Sequence, residues 1–336
     1  MLTMTPKGLY CQAGNFHIDP MGSVDTAIIT HAHSDHARRG SKKYFCARPG
    51  VELLKARIGK KFEVQGVPYG QEFYVGPVKV SFHSAGHILG SAQVRMEYFG
   101  EVWVASGDYK REFDPTCDPF EVVPCDVFIT EATFGTPKYI WNRSADLGTE
   151  IHSWWTENAK QGLNSILFAY SLGKTQRILG LLKDIAHRPI YCHPAATTLN
   201  ECYLSEGIKL AKTICLSTVP ENTILEGEFI VAPQSFLNSS QSQILGQNFQ
   251  TAFASGWMAT RDFEYSKGGD ESLDKGFVIS DHADWNDLVE TIKQTKARKI
   301  YVQHRGRGAL VKHLKGLGFF AFPDSDLPTY DQLAFF

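Results

Sequence analysis

The stretch ITHAHSDHARRG, residues 29–40, places four metal-binding side chains within a few positions of one another: His31, His33, Asp35 and His36. Neutral imidazoles packed together offer little to a hydrophobic core, and buried ones must be hydrogen-bonded. Shared binding of Zn²⁺ or Mn²⁺ would explain why these side chains lie together. The residues before them, 24–30, are apolar and β-branched, which predicts a buried strand. The stretch therefore predicts a metal site where a strand ends.

Other apolar segments also end in a carboxylate or an imidazole, and this repetition predicts that sheet edges converge on one polar site. In chain order they are 16–18 before Asp19, 78–82 before His87, 101–105 before Asp108, 127–130 before Glu131, 277–279 before Asp281 and His282, and 299–303 before His304. Two ions about 3.5–4 Å apart are the usual device for cleaving a phosphodiester. The set contains enough ligands for two such ions.

The ligands divide into two groups with one bridging carboxylate. The predicted ligands are His31, His33 and His87 for the first ion and Asp35, His36 and His304 for the second. Asp108 is predicted to bridge them, because a carboxylate can bind one ion through each oxygen. Asp19 is predicted to orient a ligating imidazole rather than to bind metal itself. The residue types suit both Zn²⁺ and Mn²⁺, so the sequence leaves the two divalent ions unidentified.

The 336 residues suffice for one large domain or two ordinary ones. The formal net charge of −2 gives no overall attraction to nucleic acid or membrane, so a polyanion would need a local patch. Basic residues do cluster after the opening motif, at Arg38, Arg39, Lys42, Lys43, Lys55, Arg57, Lys60 and Lys61. On charge alone, a solvated surface explains this cluster as well as a binding site does.

The seven cysteines are scattered, odd in number and without a Cys-x-x-Cys pair. This pattern excludes a disulfide framework and a zinc knuckle, and it fits a reducing compartment. The first residues, MLTMTPKGLY, lack the apolar core of a signal peptide, and no stretch is long enough to span a membrane. We therefore expect a cytoplasmic protein that does not associate with membranes.

Six motifs together resemble one family. HAHSDH (31–36), AGHILGS (85–91) and SGDYKRE (106–112) resemble the metallo-β-lactamase fold. TEATFG (130–135), SDHAD (280–284) and YVQHRG (301–306) resemble motifs A, B and C of the β-CASP nucleases, and the order of the motifs agrees throughout the chain.

The resemblance implies a mixed α/β architecture. Residues 1–140 and 265–336 should form an αββα metallo-β-lactamase sandwich, and residues 141–264 a small inserted α/β β-CASP domain. It also implies that Glu131 and His282 lie beside the scissile phosphate, with His282 as candidate general acid. The active site would lie in the cleft between the two domains.

FAYSLGKTQ, residues 168–176, predicts a strand followed by a helix start, where Ser171, Gly173 and Lys174 could hold a phosphate. This segment resembles Artemis-type DNA-repair nucleases, in which it helps to bind a terminal 5′ phosphate. His304 at motif C instead resembles the RNA-processing members. The compact length, SGWMA (255–259) and SDHADW (280–285) resemble the ligase-associated DNA exonucleases of bacteria.

The leading interpretation is a metal-dependent DNA exonuclease of DNA repair, acting 5′ to 3′ on single-stranded DNA or DNA ends. A DNA ligase and a helicase would be partners in the same repair pathway. A β-CASP ribonuclease of RNA processing is the main alternative, which matched DNA and RNA oligonucleotides would separate. A small-ester hydrolase and a non-catalytic nucleic-acid-binding protein also remain open.

Overall fold

The computed structural model describes residues 1–141, 146–260, 273–304 and 306–329. The chain divides into two compact units. The first contains Met1–Lys138 and His282–Phe336, and the second contains Tyr139–Asp281. Both units are mixed α/β, which confirms the predicted class at that level.

The secondary-structure elements have the following bounds. The strands are β1 (Leu2–Thr5), β2 (Gly8–Cys11), β3 (Phe16–Ile18), β4 (Thr26–Ile28), β5 (Lys43–Ala47), β6 (Glu63–Val67), β7 (Phe73–Val75), β8 (Val78–Ser84), β9 (Ala92–Tyr98), β10 (Glu101–Ala105), β11 (Val127–Thr130), β12 (Asn164–Phe168), β13 (Ile190–Cys192), β14 (Thr213–Cys215), β15 (Phe229–Ala232), β16 (Phe249–Ala254), β17 (Lys275–Phe277), β18 (Lys299–Val302) and β19 (Phe320–Pro323). The α-helices are α1 (Val51–Ile58), α2 (Leu147–Lys160), α3 (Lys174–Leu182), α4 (Pro194–Ser205), α5 (Trp285–Thr295) and α6 (Arg307–Gly316).

The first unit contains two sheets, with strand orders β1-β2-β3-β4-β5-β6 and β19-β18-β11-β10-β9-β8-β7. One hydrophobic cluster draws side chains from both sheets, including Phe16 and Phe45 from the first and Trp103 and Ile129 from the second. Successive strand residues point to opposite faces. Phe128, next to Ile129, accordingly packs in a different cluster, with side chains of α5 and α6.

The strand directions explain why the polar residues gather. β10, β11 and β18 are parallel neighbours, and β3, β4 and β5 are parallel neighbours in the other sheet. The carboxyl ends of parallel strands meet at one edge of a sheet, which is where ligands usually bind. Asp108, Glu131 and His304 follow β10, β11 and β18, and Asp19 and His31 follow β3 and β4.

The second unit is built on one sheet with strand order β14-β13-β15-β12-β16-β17, and every neighbouring pair in it is parallel. The predicted strand, loop and helix around FAYSLGKTQ are confirmed as β12 and α3. The strand expected at 277–279 instead covers Lys275–Phe277, where it pairs with β16. The second compact unit runs from Tyr139 to Asp281. The predicted domains, 1–140 with 265–336 and the inserted 141–264, stay a prediction.

Among the described residues, no helix combines the length and the apolar character that crossing a membrane would require.

Candidate metal centre and active site

The HAHSDH motif forms a tight turn directly after β4. The main-chain N–H groups of His36 and Ala37 both donate to His33 O, at 3.2 and 2.8 Å. This turn lets the imidazoles of His31, His33 and His36 converge, with ring centroids of His31 and His36 4.0 Å apart. His31 Nε2 and His33 Nδ1 lie 3.0 Å apart, and His87 Nε2 lies 3.1 Å from the same His33 nitrogen.

Asp19 organises two of these imidazoles. His36 Nδ1 donates to Asp19 Oδ2 at 2.8 Å, which leaves Nε2 as the nitrogen that faces Asp108. Thr30 donates to the same carboxylate through its N–H (2.8 Å) and its hydroxyl (2.5 Å). The Thr30 hydroxyl lies 3.1 Å from His31 Nδ1 and can accept a hydrogen bond from its N–H. Asp19 thus orients His36 directly and His31 through Thr30, in the way that outer carboxylates fix metal-binding imidazoles.

The AGHILGS loop presents His87 from the other side of the cluster. Ser91 Oγ accepts hydrogen bonds from the N–H groups of His87 (3.0 Å) and Ile88 (3.2 Å) and so closes the loop. Gly86 has φ +68°, and a Cβ there would lie 2.3 Å from Lys110 O. Only glycine therefore allows the His87 loop to approach the chain just after Asp108 this closely.

Asp108 is the carboxylate at the centre of the imidazoles. Its Oδ2 lies 3.6 Å from His31 Nε2, 3.6 Å from His36 Nε2 and 3.9 Å from His87 Nε2. Its Oδ1 lies 3.7 Å from His304 Nδ1. We call these residues the imidazole cluster: His31, His33, His36, His87, Asp108 and His304.

The charges of the cluster depend on one another. Burial lowers the pKa of His31 well below its usual value. Burial also acts to lower the pKa of His36, but the carboxylates of Asp108 and Asp19 raise it to about 10. Burial opposes ionisation of Asp108, yet the imidazoles of His36, His282 and His31 hold its pKa well below the usual range. Asp108 is therefore anionic, and the charged form of His36 is the group that most favours this ionisation.

The residues present fit a pair of divalent ions. His31, His33, His87 and Asp108 offer ligand atoms within 4.8 Å of one another, and so do His36, Asp108 and His304. Nitrogen ligands about 2.0–2.1 Å from a tetrahedral ion lie about 3.3 Å apart, close to the spacings found here. The buried Asp108 Oδ1 accepts no hydrogen bond from the described residues, which is costly unless something else satisfies it. A bridging carboxylate would meet that need through one ion.

Asp35 is placed differently from the other predicted ligands. Its side chain is 73% exposed, and its Oδ2 lies 3.6 Å from His36 Nε2. It stands outside the groups that bring three or more ligand atoms together among the described residues. Its role as a ligand of the second ion stays a prediction.

Glu131 and His282 form a pair beside Asp108. His282 Nδ1 lies 3.1 Å from both carboxylate oxygens of Glu131 and 4.0 Å from Asp108 Oδ2. Glu131 is 1% exposed, and its oxygens also accept hydrogen bonds from the N–H groups of Tyr109 (2.8 Å) and Thr133 (3.3 Å). Ligand atoms of Asp108, Glu131 and His282 also lie within 4.8 Å of one another.

His304 reaches the cluster from a turn after β18. Its φ of +71° lies in the left-handed region, as does the φ of Asp19 at +44°. Such conformations are uncommon outside glycine and are concentrated at functional sites. Thr133 Oγ1 lies 3.1 Å from His304 Nδ1, and Gly306 N donates to Ala132 O at 2.9 Å. The TEATFG turn therefore fixes the turn that carries His304.

Sequence reasoning missed Thr30 and Thr133, the hydroxyls beside His31 and His304. Threonine next to a strand end is common, so residue type alone carries no signal. The position of Thr30 directly before His31 was the one available indication.

The predicted phosphate-binding segment lies in the second unit, where its polar groups have internal partners. Lys174 Nζ donates to Ile279 O at 2.9 Å and pairs with Asp281 Oδ2 at 2.8 Å. Gly173 N donates to Gln176 Oε1 at 2.7 Å. Arg177 donates to Ser280 O. We call Lys174 and Arg177, with residues 279–281, the cation cluster. Phosphate binding by Ser171, Gly173 and Lys174 stays a prediction, because these contacts use the Lys174 ammonium and the Gly173 N–H inside the fold.

Comparison with known proteins gives several relatives. The chain is 29% identical over 302 residues to a protein named "Probable DNA ligase" from Opitutus terrae, a match that covers 88% of this chain and 28% of that one. It is 26% identical to the "RNase J-like protein" of Methanocaldococcus jannaschii (54% of this chain, 50% of that one). It is 32% identical to "Endoribonuclease YSH1" of Yarrowia lipolytica (49% and 24%). The chain thus spans half or less of the length of each of these relatives.

These relatives confirm the resemblance of the chain to the metallo-β-lactamase/β-CASP nuclease family. No family model matches the chain. Among solved structures it resembles a protein of unknown function from Enterococcus faecalis, with a TM-score of 0.55, 12% identity, and coverage of 84% of this chain and 76% of that one. At that identity the likeness concerns the fold alone.

Proposed function

We propose that this β-CASP-like protein is a metal-dependent DNA exonuclease that hydrolyses phosphodiester bonds of single-stranded DNA or DNA ends during DNA repair. The single observation that carries the hydrolytic part is the imidazole cluster around Asp108, whose Oδ1 accepts no hydrogen bond within the described residues. Two divalent ions held by His31, His33, His87, His36, His304 and Asp108, with Asp35 nearby, would neutralise phosphoryl oxygens and activate water.

Residues of the chain itself would orient the imidazoles that bind metal and would protonate the leaving oxygen. Asp19 holds His36, and through Thr30 it holds His31, so that one ring nitrogen of each points toward Asp108, where a metal would bind. Glu131 fixes the His282 ring through Nδ1, which leaves Nε2 as the nitrogen that would give a proton to the leaving oxygen. Because N–H donors already occupy both Glu131 oxygens, we assign Glu131 to this pair rather than to a metal.

The extent of the matches supports DNA as the substrate. The relative named a probable DNA ligase aligns with 88% of this chain, whereas the RNase J-like and endoribonuclease relatives align with about half. We infer that the enzyme acts in a pathway that also contains a DNA ligase. Polarity from 5′ to 3′ belongs to the same proposal and rests on the resemblance of residues 168–176 to Artemis-type nucleases.

The two units carry a structural proposal as well. The clusters on the outer faces of the two sheets contain α1 on one side and α5 and α6 on the other. We infer an αββα sandwich for the first unit, and we propose that the second unit is the inserted β-CASP domain that recognises substrate.

A ribonuclease of RNA processing is the second candidate. Two observations favour it: His304 contributes to the cluster, and two of the compared relatives carry ribonuclease names.

Digestion of end-labelled DNA and RNA strands separates the candidates. Matched single strands with 5′-phosphate or 5′-hydroxyl ends are incubated with the protein and Zn²⁺ or Mn²⁺, with Asp108→Asn as the control for contaminating nucleases. We expect metal-dependent loss of DNA from its 5′ end. Cleavage of RNA alone would establish the second candidate, and no cleavage of either polymer with either metal would refute both.

A further inference from the structure

A basic depression lies on the first unit, beside the end of α1. It has a volume of about 510 Å³, and its walls include Arg39, Ile58, Lys60, Lys61 and Phe62. Helix α1 ends at Ile58, and Gly59, with φ +105°, turns the chain so that Lys60 and Lys61 project outward. Ile58 is buried and Phe62 half-buried, so the floor is apolar while the rim is cationic.

The cations of this rim differ from the other basic residues nearby. Lys42 pairs with Asp25 at 2.7 Å, Lys43 with Glu63 at 3.7 Å and Lys55 with Glu52 at 2.9 Å. Arg39, Lys60 and Lys61 form no ion pair with a carboxylate in the described parts of the chain. All three are exposed, and Lys61 Nζ lies 5.4 Å from the centroid of the Phe62 ring. Their charge is therefore available to an external anion.

The depression is attached to the turn that carries the metal ligands. Arg39 Nε donates to Arg57 O at 3.2 Å, and Arg57 Nε donates to Ala32 O at 3.2 Å. Ala32 stands between His31 and His33. Arg39 follows His36 by three residues, which limits their Cα separation to about 11 Å. A polymer bound at the imidazole cluster would reach the depression within a few nucleotides.

We propose that this depression holds a single-stranded DNA segment that extends from the imidazole cluster, an inference that rests on the proposed nuclease function. Sites for single-stranded nucleic acid combine cations that contact the phosphates with aromatic side chains on which bases stack. The depression offers both, because Arg39, Lys60 and Lys61 surround an apolar floor that includes the Phe62 ring. Phosphate contacts position the strand without reading its sequence. Arg39, Lys60 and Lys61 are thus assigned as positioning residues for the polymer.

The test compares two triple variants that remove equal charge. The target variant is Arg39→Ala/Lys60→Ala/Lys61→Ala, and the matched control is Lys42→Ala/Lys43→Ala/Lys55→Ala. Binding of a labelled single-stranded DNA is measured by fluorescence anisotropy against salt concentration. The slope of log K against log salt is negative, and each lost phosphate contact should reduce its magnitude by about 0.7. Three lost contacts should therefore reduce the magnitude by about 2 and weaken binding on the order of 100-fold at 0.1 M salt. The control should keep the wild-type slope.

Cleavage rates distinguish this proposal from the nuclease proposal. The target variant should lose turnover of long strands through a raised KM and should hydrolyse a dinucleotide, which is too short to reach the depression, at the wild-type rate. Equal changes in the two variants, an unchanged slope in the target variant, or a variant-specific change for single-stranded RNA but not for DNA would overturn the depression as a DNA site. A wild type that cleaves neither dinucleotide nor polymer would refute the nuclease function itself.

Discussion

The imidazole cluster of the first unit and the cation cluster of the second unit both bury charge, but they satisfy it differently. In the cation cluster, Lys174 and Arg177 each donate to a main-chain carbonyl, and Asp281 supplies the opposite charge. In the imidazole cluster, Asp108 faces nitrogen atoms at 3.6 Å or more, and its Oδ1 accepts no hydrogen bond within the described residues. The carboxylate of the cation cluster thus has a direct ion-pair partner within the fold, at 2.8 Å, whereas the carboxylate of the imidazole cluster lies at distances from its imidazoles that leave room for a ligand.

The comparison leads to opposite expectations for mutations in the two clusters. Changes in the imidazole cluster should alter metal content and catalysis more than stability. Changes in the cation cluster should alter stability and leave the metal content unchanged.

The largest effect is expected at Asp108. Asp108→Asn keeps the size of the side chain but removes the negative charge that would bridge two ions. We expect no measurable cleavage of DNA and fewer than two ions per chain, with an unchanged circular dichroism spectrum. Full activity in this variant would remove the basis of the two-ion arrangement.

His282→Ala should come next. If the imidazole gives a proton to the leaving oxygen, its removal should slow turnover by about 10²–10⁴-fold. Elemental analysis should still find both ions, because the imidazole cluster does not need His282. Glu131→Gln is the matched variant, since it keeps the shape of the side chain but weakens its hydrogen bonds with His282 Nδ1. Near-normal turnover in His282→Ala, or the loss of an ion, would contradict the assignment.

Asp19→Asn should have a smaller effect. The amide cannot accept a hydrogen bond through its nitrogen, so the orientation of His36 and of the Thr30 hydroxyl is disturbed while the ligands themselves remain. Loss of such an outer partner costs about 10–100-fold in metal affinity or activity. Competition with a chelator measures the affinity, and wild-type affinity in this variant would show that the network does not support the ligands.

Lys174→Met should have the smallest effect on catalysis and a clear effect on stability. The methionine keeps the apolar stem but leaves Asp281 without this buried partner, which costs about 3–5 kcal/mol in the free energy of unfolding. Denaturant unfolding measures that loss, and metal content should stay at the wild-type level. A variant of normal stability that loses its preference for 5′-phosphate ends would instead establish the phosphate-binding role predicted from the sequence.

The sequence predicted the parts of the fold that depend on local pattern. The strands Phe16–Ile18, Glu101–Ala105 and Val127–Thr130 have the predicted bounds, because short apolar segments followed by polar residues mark buried strands that end at a sheet edge. The same pattern indicated the convergence of Asp19, Asp108, Glu131 and His304, which follow parallel strands. It was wrong for Asp281, because β17 belongs to the sheet of the second unit and Asp281 pairs with Lys174 there.

Long-range partners could not be predicted in this way. Lys174 and Ile279 are 105 residues apart, and nothing near Lys174 reveals that its ammonium meets that carbonyl. The strand expected at 277–279 begins earlier because its register is set by pairing with β16, where Ala252 faces Lys275. Asp35 fits the motif spacing as well as His36 does, but the direction in which its side chain points depends on the path of the main chain through the turn.

Metal reconstitution tests the central claim most directly. The metal-free protein is titrated with Zn²⁺ or Mn²⁺, and bound metal by elemental analysis is followed together with cleavage of end-labelled single-stranded DNA. We predict that cleavage rises with metal content and reaches its maximum at two ions per chain. Full cleavage with at most one ion bound at saturation, or with none, would contradict the account.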